Sequence, residues 1–583
     1  MVLGRSFVVL RRAPITTKLR PGTMITQPTK LRPGTILLLV GLLVGGMNTA
    51  TASPVAEAEA IFLDFLDADS AVGVIDSGVV AQYRGRDRAA WEAELRDRHV
   101  ALMERLAAID PATLPSEDAA AIAAMRVTLA DHADPSAAVE SAPEAPKCRD
   151  ASRRDLDYAE LRAALVGCYR ELGNNLQFEN GTVDRGTALQ LLHDIEEPAR
   201  RKALFDAFRP LWLALNGQNE SDSPYRRMIR MAAADGAANG SELDAAGRAI
   251  GVPKAEIEQW LVQILDAWRQ ASGPGMVEPW DYRYSIGEAN RLLAAQIPRD
   301  ALVPVNERFY RDLGADLIQL GVVYDLTERP DKSPLAYTDF LARGRYVNGE
   351  WRPSVARVVG RYPLGGLFSL NELVHENGHA VHISAIRNRP AFTDWPDSLF
   401  TEAFADVPSW SVYEPAWQWR YLGTEVNEPT SLRALHGNVV LDVAWSLFEI
   451  RMLRDPVGDP NAVWTEITSH YLHIVPHPDV PWWAMRVQLA SRPGYMLNYG
   501  LGAVLTAEIR EKTSESLGPF DAGNAAWYAW VSEHLLAYGS ERDTRSLMQA
   551  LLGRPLSPDA VLTQIQRIKG SKGTQPFKGL RPL

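Results

Sequence analysis

The chain of 583 residues sets 72 acidic against 61 basic side chains, a formal net charge of −11, with 46% hydrophobic and 23% charged residues. That composition excludes a disordered chain and leaves ample material for a large core in one or two domains. The negative balance argues against nucleic acid as a partner.

The N-terminus reads as a targeting segment. Arg5, Arg11, Arg12, Lys18, Arg20, Lys30 and Arg32 precede the apolar run Ile36 to Val44, and Ala50-Thr51-Ala52 supplies the small-x-small pattern of a signal-peptidase site. Residues 1–52 are therefore expected to be a leader, and the mature protein to be exported, periplasmic or extracellular. Thr-Lys-Leu-Arg-Pro-Gly-Thr occurs twice, at 17–23 and 29–35, so Met24 is an alternative start. A retained membrane anchor fits less well, because the apolar run falls short of the ~20 residues of a spanning helix. No stable membrane insertion is expected once the leader is removed.

From Ala56 to about Ala133 the pattern is helical, with Leu95, Leu102 and Leu106 at three and four spacing. Residues 134–150, rich in Pro, Ala, Ser and Glu, read as a linker. The domain reading is thus a helical segment with linker over 53–150, a second helical domain over 151–569, and a disordered tail over 570–583. Cys148 and Cys168 are the two cysteines, and the sequence leaves open one disulfide or two free thiols. Helical periodicity resumes at Arg154 and runs in segments to about Leu320, broken at Gly181, Pro210, Pro274 and Pro298. The fold class is mainly α.

The clear β signals come next. Gly321 to Leu326 is β-branched and aromatic, and Asn348-Gly349 is a two-residue hairpin turn between Arg345-Tyr346-Val347 and a β-prone run from Ser354 to Val359. A small sheet at this point is either a structural ribbon or an edge on which an extended peptide lies.

Residues 371–382, Asn-Glu-Leu-Val-His-Glu-Asn-Gly-His-Ala-Val-His, hold the pattern H-E-x-x-H as His375, Glu376 and His379. Positions i and i+4 of a helix lie one turn apart on one face, so both imidazoles can reach one ion. Glu376 follows the first ligand, where it can take a proton from water. Leu370, Leu373, Val374, Ala380 and Val381 give this helix an apolar face, and Pro390 stops it. His382 shares the face but stands about 10 Å farther along the axis, so it is a polar neighbour rather than a ligand. The alternative for the pair is two satisfied core histidines.

A third ligand is expected from a second helix. Leu399 to Val407 offers Glu402 and Asp406 at i, i+4 spacing. Glu402 is taken as the ligand, with Asp406 orienting a ligand histidine from behind. Trp410, Trp417, Trp419 and Trp445 read as core. His470, His473 and His477 precede Pro493-Gly494-Tyr495-Met496-Leu497-Asn498-Tyr499, in which Tyr495 and Tyr499 present two hydroxyls one turn apart for an oxyanion, or form a buried pair.

These residues resemble a known family. His375-Glu376-Asn377-Gly378-His379-Ala380-Val381-His382 is similar to the H-E-x-G-H-x-x-H zinc motif of thimet oligopeptidase, neurolysin and their bacterial relatives. Asp325-Leu326 with Arg329 and Lys332 resembles that family's D-L-x-x-R-x-x-K, and Gly494-Tyr495 with Tyr499 its G-Y-x-x-x-Y. Leu552-Gly553-Arg554-Pro555 with Ser557-Pro558 also resembles it, so the matches run from about residue 320 onward. Phe400 to Asp406 is closer to angiotensin-converting enzyme, in which a ligand Glu is followed four residues later by an Asp. Laid over the oligopeptidase E-x-P-S, however, Asp406-Val407-Pro408-Ser409 makes Asp406 the ligand. The histidine that usually precedes G-Y is replaced here by Ala490 and Ser491, with His473 or His477 as substitutes.

The resemblance implies a helical gluzincin with a deep substrate channel and a small sheet beside the zinc helix. The expectation is a zinc-dependent peptidase of the oligopeptidase or peptidyl-dipeptidase type, acting on short unfolded peptides. It would carry one Zn²⁺ on His375, His379 and Glu402, with Glu376, Tyr495 and Tyr499 catalytic. The alternatives are an inactive peptidase-like binding protein and a zinc hydrolase of a non-peptide amide. Oligomeric state is not legible.

Overall fold

The computed structural model describes residues 53–74, 87–131, 146–329, 332 and 335–569. The expected leader (1–52) and tail (570–583), and most of the linker (134–150), lie outside the described residues. Within them the protein is mainly helical with three small sheets. No helix among the described residues is long and apolar enough to cross a membrane.

Three N-terminal helices, α1 (Pro54–Val74), α2 (Arg88–Ala107) and α3 (Ser116–Asp131), form a small core of their own. Leu95, Leu102 and Leu106, at the spacing read from the sequence, are buried in it. Ala391 and Phe392 close this core from the main body, and Arg389 binds Glu59 and Asp118 beside them. The remaining chain wraps a much larger core. Cys148 and Cys168 are joined by a disulfide, which resolves the open question about them. Trp410, Trp417 and Trp445 are core as expected, whereas Trp419 is 39% exposed. It lies on the outer face of an eight-residue helix that buries Trp417 and Tyr421 instead.

A hairpin of β1 (Leu176–Phe178) and β2 (Gly181–Val183) interrupts the first long helical stretch. The sequence reading took Gly181 only as a break. Glu179 occupies the left-handed region there, and Asn180-Gly181 was the available turn signal.

The second sheet positions the site. Its order is β3 (Val323–Asp325), β7 (Val355–Val359), β4 (Tyr337–Ala342), with β7 parallel to β3 and antiparallel to β4. Between β4 and β7 the turn at Asn348 and Gly349, at φ 53° and 84°, closes a hairpin as expected, but its strands are β5 (Arg345–Val347) and β6 (Glu350–Arg352), and the run from Ser354 to Val359 forms β7 of the other sheet instead. Positive φ at both turn residues is what matches the twist of the flanking strands. Strand β4 escaped the sequence reading because its inward positions include Thr338, which breaks the apolar alternation. Asp325, at the end of β3, receives both arms of Arg329, and Lys332 donates to the Asp325 and Gly360 carbonyls. This group ties Arg329 and Lys332 to the end of β3.

Four helices bear on the site: α4 (Gly366–Ala385), α5 (Ser398–Ser409), α6 (Glu428–Arg454) and α7 (Met496–Leu517). Helix α4 ends three residues short of Asn388, before Pro390 opens a 3₁₀ turn. It buries Leu370, Leu373, Val374, Val381 and Ile383 completely, each contributing roughly 1.5–3 kcal/mol of transfer free energy. Helix α5 starts at Asp397, whose carboxylate accepts the Phe400 amide at 2.9 Å. Helix α7 backs it, with Thr506 donating to the Ala403 carbonyl at 2.8 Å and Arg510 to that of Val407.

Candidate metal centre

The site begins with a close approach of two helix backbones. Gly378 on α4 faces α5 so tightly that a Cβ there would lie 2.7 Å from the Ala405 Cα. Only glycine fits, and the consequence is geometric: the face of α4 carrying His375 and His379 lies directly over the face of α5 carrying Glu402 and Asp406.

His375 Nε2 lies 3.5 Å, and His379 Nε2 4.0 Å, from Glu402 Oε2. One ligand atom from each of the three residues falls within 4.8 Å of the others, the only such three-residue group of His, Cys, Asp and Glu among the described residues. Asp406 Oδ1 sits 2.7 Å from His375 Nδ1 and also accepts the Ser409 hydroxyl at 3.0 Å. A carboxylate on Nδ1 fixes the tautomer that leaves Nε2 with a free lone pair. Two imidazole nitrogens and one carboxylate oxygen, converging with little water around them, are a donor set suited to zinc. Asp406 thus lies against Nδ1 of His375, whereas the Glu402 carboxylate lies beside the Nε2 atoms of both histidines.

Glu376 turns toward the sheet. Thr338 of β4 donates to Glu376 Oε2 at 2.7 Å and to the Glu376 carbonyl at 2.9 Å. Burial raises its carboxyl to about 8, and neighbouring Glu372 to about 7, in the metal-free protein. A dication at the adjacent imidazoles works against both shifts. Burial holds His379 below its ordinary range, hence neutral, and its Nδ1 is buried with no hydrogen-bond partner. His382 lies in a box of Trp395, Phe400 and Phe404, with ring centroids 5.2–5.7 Å away. Burial drives it to about 3. It is a neutral neighbour of the cleft.

The two tyrosines come from the start of α7. The Tyr495 hydroxyl donates to Glu402 Oε1 at 3.1 Å, and the Tyr499 ring lies 5.8 Å from that of Tyr495. Tyr499 accepts from Gln488 Nε2 at 3.3 Å. His477 pairs with Glu278 at 2.7 Å and rests on Trp280, and His473 caps a helix in the left-handed region.

Sequence reasoning missed several participants. Thr338 lay on the unrecognised strand. Trp395, whose ring is 5.8 Å from that of His379, sits in a loop without periodicity. Asn377 accepts from the Tyr324 hydroxyl at 2.9 Å, and that hydroxyl takes a bond from Asn306 at 3.1 Å, which ties α4 to β3.

No family model matches the chain, and no curated protein matches it in sequence. Solved structures do resemble it. The M32 carboxypeptidase of Deinococcus radiodurans R1 is 16% identical, covers 89% of this chain and 99% of its own, and has a TM-score of 0.51. A protein described as an oligoendopeptidase F is also 16% identical, covers 89% and 97%, and has a TM-score of 0.54. At this identity the likeness is one of fold, a mainly helical chain matched over about nine-tenths of its length, and it does not show the thimet oligopeptidase and neurolysin family read from the motifs.

Proposed function

We propose that the protein is an exported zinc-dependent peptidase that hydrolyses short, unfolded peptides, of the oligopeptidase or peptidyl-dipeptidase type. The observation that carries this reading is the convergence of His375 Nε2, His379 Nε2 and Glu402 Oε2 with Glu376 as the residue next in chain to the first of them. The similar structures, a carboxypeptidase and an oligoendopeptidase by name, support the substrate class.

One zinc per chain, held by His375, His379 and Glu402, would supply a Lewis acid that acidifies water and polarises a carbonyl. Glu376 is the general base, with Oε1 accepting the proton of the attacking water and returning it to the leaving amine. Thr338 restrains Oε2 so that the carboxylate keeps one orientation through both transfers. Asp406 holds His375 in its binding tautomer. Tyr495 spends its hydroxyl proton on Glu402, whereas Tyr499 accepts from Gln488 and keeps its own proton to donate. Tyr499 is thus the better placed to stabilise the oxyanion. Strand β4, an edge of its sheet, would align an extended peptide through main-chain hydrogen bonds.

The test is cleavage of a quenched-peptide library with and without chelator, with products identified by mass spectrometry. Chelator-sensitive cleavage supports the reading. Bound zinc with no cleavage favours an amide hydrolase of another class or an inactive binding protein.

A further inference from the structure

Glu449 of α6 is fully buried, and no basic side chain pairs with it among the described residues. Its Oε1 accepts the Gly494 amide at 2.9 Å and its Oε2 the Met496 amide at 2.9 Å. One turn earlier on α6, Ser446 donates to the Met496 carbonyl at 2.5 Å. Both bonds of Glu449 therefore grip the turn on either side of Tyr495. Gly494 adopts φ +94°, with a Cβ there lying 2.5 Å from that of Glu242. Arg492 pairs with Glu242 at 3.3 Å and covers the Tyr495 ring at 5.4 Å. These contacts hold the turn on both sides of Tyr495, whose hydroxyl ends on Glu402.

A buried carboxyl group with no basic partner is costly, and an apolar side chain would pack this position at lower cost. What the carboxyl group alone provides is two oxygens, both able to accept, splayed toward amides two residues apart. We infer that Glu449 is a positioning residue of the metal centre: by clamping the Gly494–Met496 turn it aims the Tyr495 hydroxyl at Glu402 and so sets the orientation of the third ligand. The inference rests on the metallopeptidase reading above.

The experiment is a double-substitution cycle on the full chain, read as zinc affinity by competition with a chromophoric chelator and as kcat and KM on a cleaved peptide. Glu449→Gln replaces one acceptor with a donor that meets an amide N–H head-on. It is expected to weaken zinc binding about tenfold, the range of partners behind metal ligands, and to lower kcat with little change in KM. Tyr495→Phe is expected to give a similar loss, and the pair no more than either alone. Glu449→Asp, which keeps the carboxyl group, restores part of the loss. If Glu449→Gln fails to fold by circular dichroism, Gly494→Ala displaces the same turn with Glu449 intact and is held to the same non-additivity. Losses that add in the double variant, or a folded Glu449→Gln with wild-type zinc affinity, overturn the inference while leaving the peptidase reading standing. A wild-type protein that binds no zinc removes both.

Discussion

At the scale of single residues, neighbouring carboxylates carry separate duties in the proposed site. Glu376→Gln is expected to retain zinc and to lose about 10²–10⁴ in turnover, the usual worth of a general base; metal analysis and kcat on one sample check it. Glu402→Ala should abolish tight zinc binding, whereas Asp406→Ala should weaken it only about 10–100-fold. A metal titration of the two variants separates them, and the reverse ranking would make Asp406 the ligand. These residues were legible because a metal site imposes fixed spacing on one helix: His375 and His379 at i, i+4, and Glu402 and Asp406 at the same interval. Thr338 and Glu449 were not legible. Their roles come from contacts made across 38 and 45–47 positions of chain, and no local pattern records such contacts.

At the scale of elements the decisive contact is α4 against α5. Gly378→Ala places a methyl group 2.7 Å from the Ala405 Cα, against backbone that cannot swing aside. The helices must separate, at a cost of about 1–3 kcal/mol. The expected outcome is a lower thermal midpoint and weaker zinc binding together, since the histidines and Glu402 sit on opposite sides of that seam. A lower midpoint with unchanged zinc affinity would show that the seam does not set the ligand geometry. The sequence disclosed both helices through their i, i+4 pairs, the first also through its apolar face and the stop at Pro390, and the turn at Asn348-Gly349 through its turn chemistry. Strand β4 and the β1–β2 hairpin stayed hidden. One has a polar residue on its inward face, and the other spans three residues a side, too few for alternation to register.

At the scale of the whole molecule, buried carboxyls make stability depend on pH. Burial raises Glu449 to about 8 from an ordinary value of 4.5, so the folded state holds its proton more tightly than the unfolded chain. The stabilisation is complete below about pH 4.5 and is lost as pH rises toward about 8, at up to about 1.4 kcal/mol per pH unit. Glu376 and Glu372, raised to about 8 and about 7, act in the same direction in the metal-free protein. Denaturant unfolding of metal-free protein at pH 5 and pH 8 should show the decline, and Glu449→Gln should flatten it. An identical slope in that variant would place the proton uptake elsewhere. The mainly helical class and the large core were legible from composition and periodicity. The docking of α1–α3 through Arg389 was not, because it joins Arg389 to Glu59 and Asp118 across some 270–330 positions.

The most direct measurement is a return titration. Metal-free protein receives zinc in small increments while bound metal and peptide cleavage are followed in the same cuvette. Cleavage is expected to climb in proportion to bound zinc and to stop at one equivalent per chain, and Glu402→Ala protein to show neither tight binding nor recovery. Cleavage already at full strength before any zinc is added, or undiminished in Glu402→Ala, would contradict this expectation.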